Sequence, residues 1–413
     1  MNPRILVILP RIPYPARDGA EVVMSELLRG FREIGQEVDV FALNPSRQHK
    51  DALALAPWCR VCETFDIDTS IRKGELVRQL LVPKRVSVGR HNIQLSYWLS
   101  RFVSQQVMDA LARFVQANGP YHIIHCETLF TTAYGLHVRE LSPESTILYR
   151  SHNVEWRIQD RLSKEGGAGP VSRIVRRRLA YQTRAYESYI ARCVQSVACI
   201  SQPDEMWYRQ TQTSASISTV LPGIAIPAAP SVEPQSPVLG FLGSLDWEPN
   251  RSAIQWFVTR VFPLIRTRVP KAEFHVAGRG SAEYFHGRAL PNGVTCLGEV
   301  SSVNTFYNMA TVVVAPLFSG SGVRVKLLEA FAHSKAVVTT SQGAEGIEWR
   351  AAEVCAVSDS EVDFANQCVR LLANEAERHA VGSAARNLVT QLYSTQASAS
   401  KMLELYTATS ERF

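Results

Sequence analysis

The chain has 413 residues, 46% apolar and 20% charged, with 44 Lys and Arg against 38 Asp and Glu. That length predicts two domains of about 200 residues each, and the composition is that of a soluble globular protein. The net charge of +6 permits an anionic substrate or membrane surface without demanding either, and no apolar run approaches the ~18–20 residues of a membrane span. Eight scattered cysteines, and a strand near the N-terminus with no secretory signal before it, predict a cytoplasmic protein with reduced thiols.

Residues 4–9 carry the apolar run ILVIL of a buried strand. Three prolines stiffen the following loop, and Gly19 allows close backbone approach to a ligand. A helix is predicted from about Glu21 to Ile34, with Val23, Leu27, Leu28 and Phe31 facing inward and Gly35 as its stop. A strand at 38–43 completes a strand–glycine loop–helix–strand unit, the opening of a parallel sheet wound with helices. Cys59 and Cys62 have CxxC spacing, but no second pair or nearby His completes a zinc site. Asp66-Ile67-Asp68 matches a cation-holding DxD pattern, yet it follows a strand too early in the chain to close such a site, so no metal is expected. Residues 71–117 read as helical, with Val103, Val107, Leu111 and Phe114 on one face.

A strand at 121–126 leads to Glu127, and one at 146–149 leads to Arg150-Ser151-His152-Asn153. In wound α/β sheets ligands sit beyond the carboxyl ends of strands, where Gly19, Glu127 and His152 would converge. His152 is there either a ligand-facing group or a satisfied structural histidine. Residues 157–192 form a long helical stretch with Arg173, Arg176, Arg177, Arg178 and Arg184, which reads as a solvated face or as a dock for anionic lipid headgroups. No nucleic-acid module accompanies it. After a strand at 194–201, five prolines between Pro222 and Pro237 mark a stiff linker. The domains are therefore 1–222 and 238–392 with a linker at 223–237, and a helix within 393–413 returns to the first domain.

The second domain restarts with a strand at 238–242 and the loop Gly243-Ser244-Leu245-Asp246. Strands at 272–277 and 294–297 precede Gly278-Arg279-Gly280 and Gly298-Glu299-Val300. The valine-rich strand at 311–315 ends at Pro316, and Gly320-Ser321-Gly322 is a small-residue loop. Val323, Leu327 and Phe331 recur at helical spacing, so a helix is predicted to begin at Val323. A strand, a glycine loop and a helix N-terminus gather free N–H groups and the helix dipole at one point, an anion site. Arg324 and Lys326 stand in the first turn, where the dipole alone disfavours cations, so a negative group such as a diphosphate is expected to compensate. Glu329, three residues beyond Lys326, lies at about ribose distance. The alternative is a surface Lys–Glu pair over an ordinary loop.

These segments resemble glycosyltransferase family 4 of the GT-B fold, in a bacterial branch associated with surface and exopolysaccharide. The resemblance rests on G-S-L-D-W-x-P-N at 243–250, A-G-R-G at 277–280, G-E-V at 298–300, P-L-x-x-G-S-G-V-R-V-K-L-L-E-A-F-A at 316–332 and Q-G-A-E-G-I at 342–347. P-R-I-P-Y-P-x-x-D-G and R-S-H-N-V-E in the first domain are similar to that branch. The resemblance implies an α/β protein of two Rossmann-like, doubly wound domains facing across a cleft, the first binding the acceptor and the second the nucleotide sugar. It implies a retaining, metal-independent hexosyltransferase with no cofactor. The donor would be a UDP- or GDP-linked sugar and the acceptor a glycan or lipid-linked molecule. From the arginines of the 157–192 stretch, peripheral contact with the inner face of an anionic membrane is the further partner expected, and no nucleic acid is. Carried over by position, His152, Arg324 and Lys326 are catalytic and Glu127 lies on the acceptor side. Gly19, Gly243, Ser244, Val300, Gly320, Ser321, Gly322, Val323 and Glu329 contact the donor. Glu329 is the second Glu of the family's E-x7-E motif and would hold the ribose; the first is Ser321 here. Many members carry an Arg and a Lys after the first strand of the second domain. This chain has Ser244 and Asp246 there, so Arg324 and Lys326 take over the diphosphate. Two alternatives stay open: a nucleotide-sugar epimerase on the same fold, and a degenerate protein that binds nucleotide sugar without turnover.

Overall fold

Runs such as ILVIL and VDVFALNP are buried along their whole length, the pattern of strands covered by helices on both faces. The computed structural model describes residues 3–164, 169–230, 234–300, 302–319, 322–347 and 354–410. They fall into two units, 1–223 with 396–413, and 224–395.

In the first unit the strands are β1 (Ile5–Leu9), β2 (Val38–Pro45), β3 (Val61–Ile67), β4 (Lys84–Val88), β5 (His91–Leu95), β6 (Ile123–Glu127), β7 (Thr146–Ser151), β8 (Ser196–Cys199) and β9 (Ser216–Thr219). Seven of them form a parallel sheet in the order β3-β2-β1-β6-β7-β8-β9. Val7 of β1 sits opposite Val40 on one side and His125 on the other. Strand order therefore reverses at β1, and the carboxyl ends of β1 and β6 form a topological switch point.

The stretch 71–117 is not helical throughout. Helices Lys73–Leu81 and Gln105–Asn118 flank an antiparallel hairpin of β4 and β5. Burial there alternates residue by residue, so Val88, Ile93 and Leu95 reach the core while Arg85, Ser87, Asn92 and Gln94 point out. The arginine-rich stretch is likewise two helices, Glu155–Lys164 and Pro170–Cys193. The helix Thr395–Ser410 packs Ala399, Met402 and Tyr406 into the first unit's core beside Met24, Leu27 and Phe31.

The second unit holds β10 (Val238–Leu242), β11 (Glu273–Ala277), β12 (Val294–Gly298), β13 (Val312–Ala315), β14 (Ala336–Thr339) and β15 (Ala356–Val357). They form a parallel sheet in the order β12-β11-β10-β13-β14-β15. The helix expected over 254–262 begins earlier, at Glu248, and continues through a π turn at Phe257–Val261. The helix expected from Val323 spans Val325–Ala332, with Arg324 at its N-cap position. Among the described residues no helix is long and apolar enough to cross a membrane.

Candidate active site

In the second unit the loops after β10, β11 and β12 are knitted together at the strands' carboxyl ends. Gly243 donates its N–H to Ala277 (2.9 Å), Gly278 to Gly298 (2.8 Å), and Leu245 to Arg279 (2.7 Å). Gly278 has φ +131, and a Cβ there would lie 2.3 Å from the carbonyl oxygen of Gly243, so only glycine fits this corner. Lys326 reaches it from the helix Val325–Ala332. Its Nζ donates to Asn250 Oδ1 at 2.8 Å, lies 4.4 Å from the centre of the Phe241 ring, and is 2.6 Å from where a Gly243 Cβ would stand. Asn250 is buried and donates in turn to the Ser244 carbonyl at 2.7 Å. Burial in this corner, with Arg324 adding like charge and Glu329 only partly offsetting both, brings the Lys326 ammonium down to about 7. A desolvated cation bonded to a neutral amide is a place where added negative charge is favoured.

Arg324 directs one guanidinium nitrogen to the Gln342 carbonyl at 3.5 Å. Gly322 has φ +75, a conformation that favours glycine, and Val323 is buried. Gly320 and Ser321 lie outside the described residues. Ser244 is half-buried and its Oγ accepts from the Asp246 N–H at 3.3 Å. Val300 is half-buried just beyond β12, and Glu329 half-buried one turn along from Lys326. Arg279, of A-G-R-G, is paired with Asp246 at 2.8 Å.

The first unit carries a buried charged cluster. Glu127 and Arg150 are paired neighbours on β6 and β7. The Glu127 carboxylate, fully buried, accepts from His152 Nε2 at 2.5 Å, from His125 Nε2, and from Arg150 at 3.4 Å. Burial alone would raise this carboxyl, but Arg150, His152 and His125 outweigh it and hold it well below the usual range. An ionised carboxylate only accepts, so each histidine donates to it from Nε2. Burial also pushes His125 down, which keeps it neutral, and its Nδ1 then accepts the hydroxyl of Tyr406. A continuous chain thus runs from Tyr406 through His125 and Glu127 to His152. Thr128, next to Glu127, has φ +68, a strained conformation for a β-branched residue that costs about 1–3 kcal/mol.

The loop after His152 is also fixed. Buried Glu187 accepts from the backbone N–H groups of Glu155 (3.1 Å) and Trp156 (3.3 Å), capping the helix Glu155–Lys164. Gly19, expected in a loop, is the first residue of the helix Gly19–Glu33, capped by Asp18. The Glu21 N–H donates to Asp18 Oδ1 at 3.0 Å, so the cap takes one of the first-turn donors. Buried Glu21 ties the turn to Lys50 at 2.9 Å and Arg11 at 3.4 Å.

The structure therefore gathers Lys326 with Gly243 and Ser244 in one unit, and His152 with Glu127 in the other. Sequence reasoning missed Asn250, His125, Arg150 and Tyr406. His125 and Glu127 do share one face of a strand by their i, i+2 spacing, and that signal was readable. Cys59 is pushed up to about 12 by burial and by Cys62, the state of an inert thiol. Asp66 accepts from Asn44, and Asp68 from Arg72 and Ser70. Among the described residues no group of three His, Cys, Asp or Glu could hold a metal ion.

Two doubly wound parallel sheets with these loops at their strand ends make up the GT-B fold of glycosyltransferases. Residues 236–374 match the family described as Glycosyl transferases group 1. The fold is similar to sucrose-phosphate synthase of Thermosynechococcus elongatus, with TM-score 0.72 at 17% identity over 99% of this chain and 100% of that one. It is similar to HepE of Anabaena solved with UDP and glucose, with TM-score 0.64 at 12% identity over 98% and 99%. It is also similar to WaaG, a glycosyltransferase involved in lipopolysaccharide biosynthesis, with TM-score 0.58 at 12% identity over 98% and 99%. In sequence the chain is 24% identical over 144 residues to an uncharacterized 44.6 kDa protein in the cps region of Klebsiella pneumoniae. That match spans 32% of this chain and only 37% of that protein's length.

Proposed function

We propose that the protein is a retaining glycosyltransferase that moves a hexose from a UDP- or GDP-linked sugar to a glycan or lipid-linked acceptor in bacterial polysaccharide synthesis. The observation that carries this reading is the Lys326 ammonium, desolvated against Phe241 and aimed into the Gly243–Gly278 corner. As the glycosidic bond breaks, negative charge accumulates on the leaving diphosphate. Lys326, Arg324 and the N-terminus of the helix Val325–Ala332 stabilise it without reorganising. No divalent cation is required, because fixed positive charge already does that work. Glu329 holds the ribose and the backbone at Val300 meets the base. His152, oriented by Glu127, positions the sugar, and retention proceeds on one face of the ring without an enzyme nucleophile. The family match over residues 236–374 supports sugar transfer, and the cps-region relative supports a polysaccharide setting.

The test is a product assay across a panel of nucleotide sugars and lipid-linked or oligosaccharide acceptors. The expected result is nucleoside diphosphate released in step with acceptor elongation, the new linkage keeping the donor's anomeric configuration. An altered sugar released without acceptor would assign an epimerase. Tight donor binding with no product across the panel would assign a binding protein.

A further inference from the structure

Among the described residues, Thr128 and Ser334 alone combine a positive φ with a side chain. Ser334 (φ +59) follows the helix Val325–Ala332, and a left-handed residue is common where a helix ends. Thr128 is of another kind. With φ +68 and ψ +164, just past the end of β6, it lies in a region open to glycine almost alone, and its branched Cβ adds to the cost. The backbone holds it there from both sides. Its N–H donates to the Arg150 carbonyl at 3.0 Å, and its carbonyl accepts the Thr131 hydroxyl at 3.2 Å. Glycine would make the same two bonds without the strain, so what threonine adds at this position is a side chain.

That side chain is only 7% exposed, and its hydroxyl has no hydrogen-bond partner. The neighbouring hydroxyls do have partners. Thr131 Oγ1 donates to the Glu127 carbonyl at 2.9 Å, and Thr132 Oγ1 bonds the Tyr186 hydroxyl at 2.8 Å. Arg150, wholly buried on the paired strand, directs Nη1 to Glu127 at 3.4 Å, while its Nε and Nη2 also lack partners. Three unpaired polar atoms thus belong to the two residues that adjoin Glu127, one in sequence and one across the strand pair. Buried polar groups are rarely left unpaired, and backbone strain collects where a chain meets its ligands. Both occur here at the switch point of the sheet, where ligands of wound α/β folds sit.

We infer that the Thr128 hydroxyl hydrogen-bonds a ring hydroxyl of the sugar that His152 positions, and so selects among hexoses. The inference rests on the transfer reaction proposed above and adds to it a residue that sets sugar specificity. His152 bonds the Glu127 carboxylate at 2.5 Å and Thr128 is the next residue in the chain, which places both beside one group. Threonine and sugar hydroxyls each donate and accept, so the pair forms with either as donor. A single χ1 rotation exchanges the threonine hydroxyl with its methyl, which turns the buried hydroxyl toward an arriving sugar.

The experiment compares the wild-type full chain with Thr128→Val and Thr128→Ser, using the donor and acceptor found by the panel assay and each single deoxy form of that donor. Valine keeps the branched shape and the strain but removes the hydroxyl. It should lower kcat/KM by about ten- to a hundredfold without lowering the melting temperature, since an unpaired buried hydroxyl leaves with it. One deoxy donor should cost the wild type a similar factor and cost Thr128→Val nothing further, while the other deoxy donors cost both proteins alike. Thr128→Ser keeps the hydroxyl and should keep that discrimination. Wild-type kcat/KM in Thr128→Val overturns the inference. So does a loss of activity with every deoxy penalty intact, which would assign Thr128 to the fold. A lower melting temperature in Thr128→Val also overturns it, because the hydroxyl would then have a buried water as its partner. A wild-type protein that transfers no sugar to any acceptor would remove the transfer reading itself, and this contact with it.

Discussion

Replacing Lys326 by methionine keeps the apolar stem that packs on Phe241 and removes the ammonium. A fixed charge on a developing oxyanion is worth about 3–4 kcal/mol, so kcat at saturating donor should fall by roughly a hundred- to a thousandfold. The position of the group adds two signatures. Its value of about 7 lies below that of an ordinary lysine, so between there and about pH 10.4 the unfolded chain binds the extra proton and the folded protein does not. Stability therefore rises with pH through that window, and the desolvation penalty is present at neutrality. Methionine lifts the penalty: at pH 7 the variant should melt higher, by about 2–4 °C for each kcal/mol relieved. The donor's diphosphate binds the protonated form, so wild-type affinity for the nucleoside diphosphate should weaken above pH 7, by up to about tenfold per pH unit. In Lys326→Met that dependence should disappear. Calorimetric titration from pH 6 to 9, steady-state kinetics and scanning calorimetry read the three effects. A folded variant with kcat within a few-fold of wild type, and with the pH dependence intact, would refute the reasoning.

On the proposed reading Glu329 grips a part of the donor whose charge does not change during reaction, so Glu329→Gln should raise KM for donor more than it lowers kcat. Tyr406→Phe leaves the buried Nδ1 of His125 without its donor. That should cost about 1–3 kcal/mol in urea denaturation, with a smaller effect on KM than on kcat because His152 is disturbed only through Glu127. Glu127→Gln uncovers Arg150 in the core and should destabilise by about 3–5 kcal/mol, read as a lower denaturation midpoint. Activity should survive excess EDTA; complete loss restored by manganese or magnesium would contradict a diphosphate site built from fixed cations.

The parallel strands inside each sheet were legible because both of their faces are buried, so ILVIL or the valines of β13 leave no ambiguity of period; the short, partly buried edge strands β9 and β15 were not. The hairpin at Lys84–Leu95 was not, because its half-buried strands mix Lys84, Arg85 and His91 with few apolar residues. The start of the helix after Gly322 differs by two residues from the periodicity, since Arg324 takes the cap position that apolar spacing cannot mark. Lys326 was readable from its motif, but its partner Asn250 stands 76 positions away and Tyr406 stands 281 from His125. Such contacts are made by the completed fold and have no local signature.

The helix Thr395–Ser410 has a consequence for how the chain is made. Ala399, Met402, Leu405 and Tyr406 complete a buried core that otherwise consists of residues before 223. At roughly 5–20 residues per second, ribosomal synthesis of residues 224–395 takes about 9–34 s, during which the earlier segment waits with that face open. The second unit is thus an insertion between the body of the first and its last helix, and it can reach its own fold before the first is sealed. A chain stopped just after residue 395 would hold the whole of the second unit attached to a first one that lacks its closing helix, and a stop before Tyr406 would damage the histidine cluster rather than the Lys326 corner.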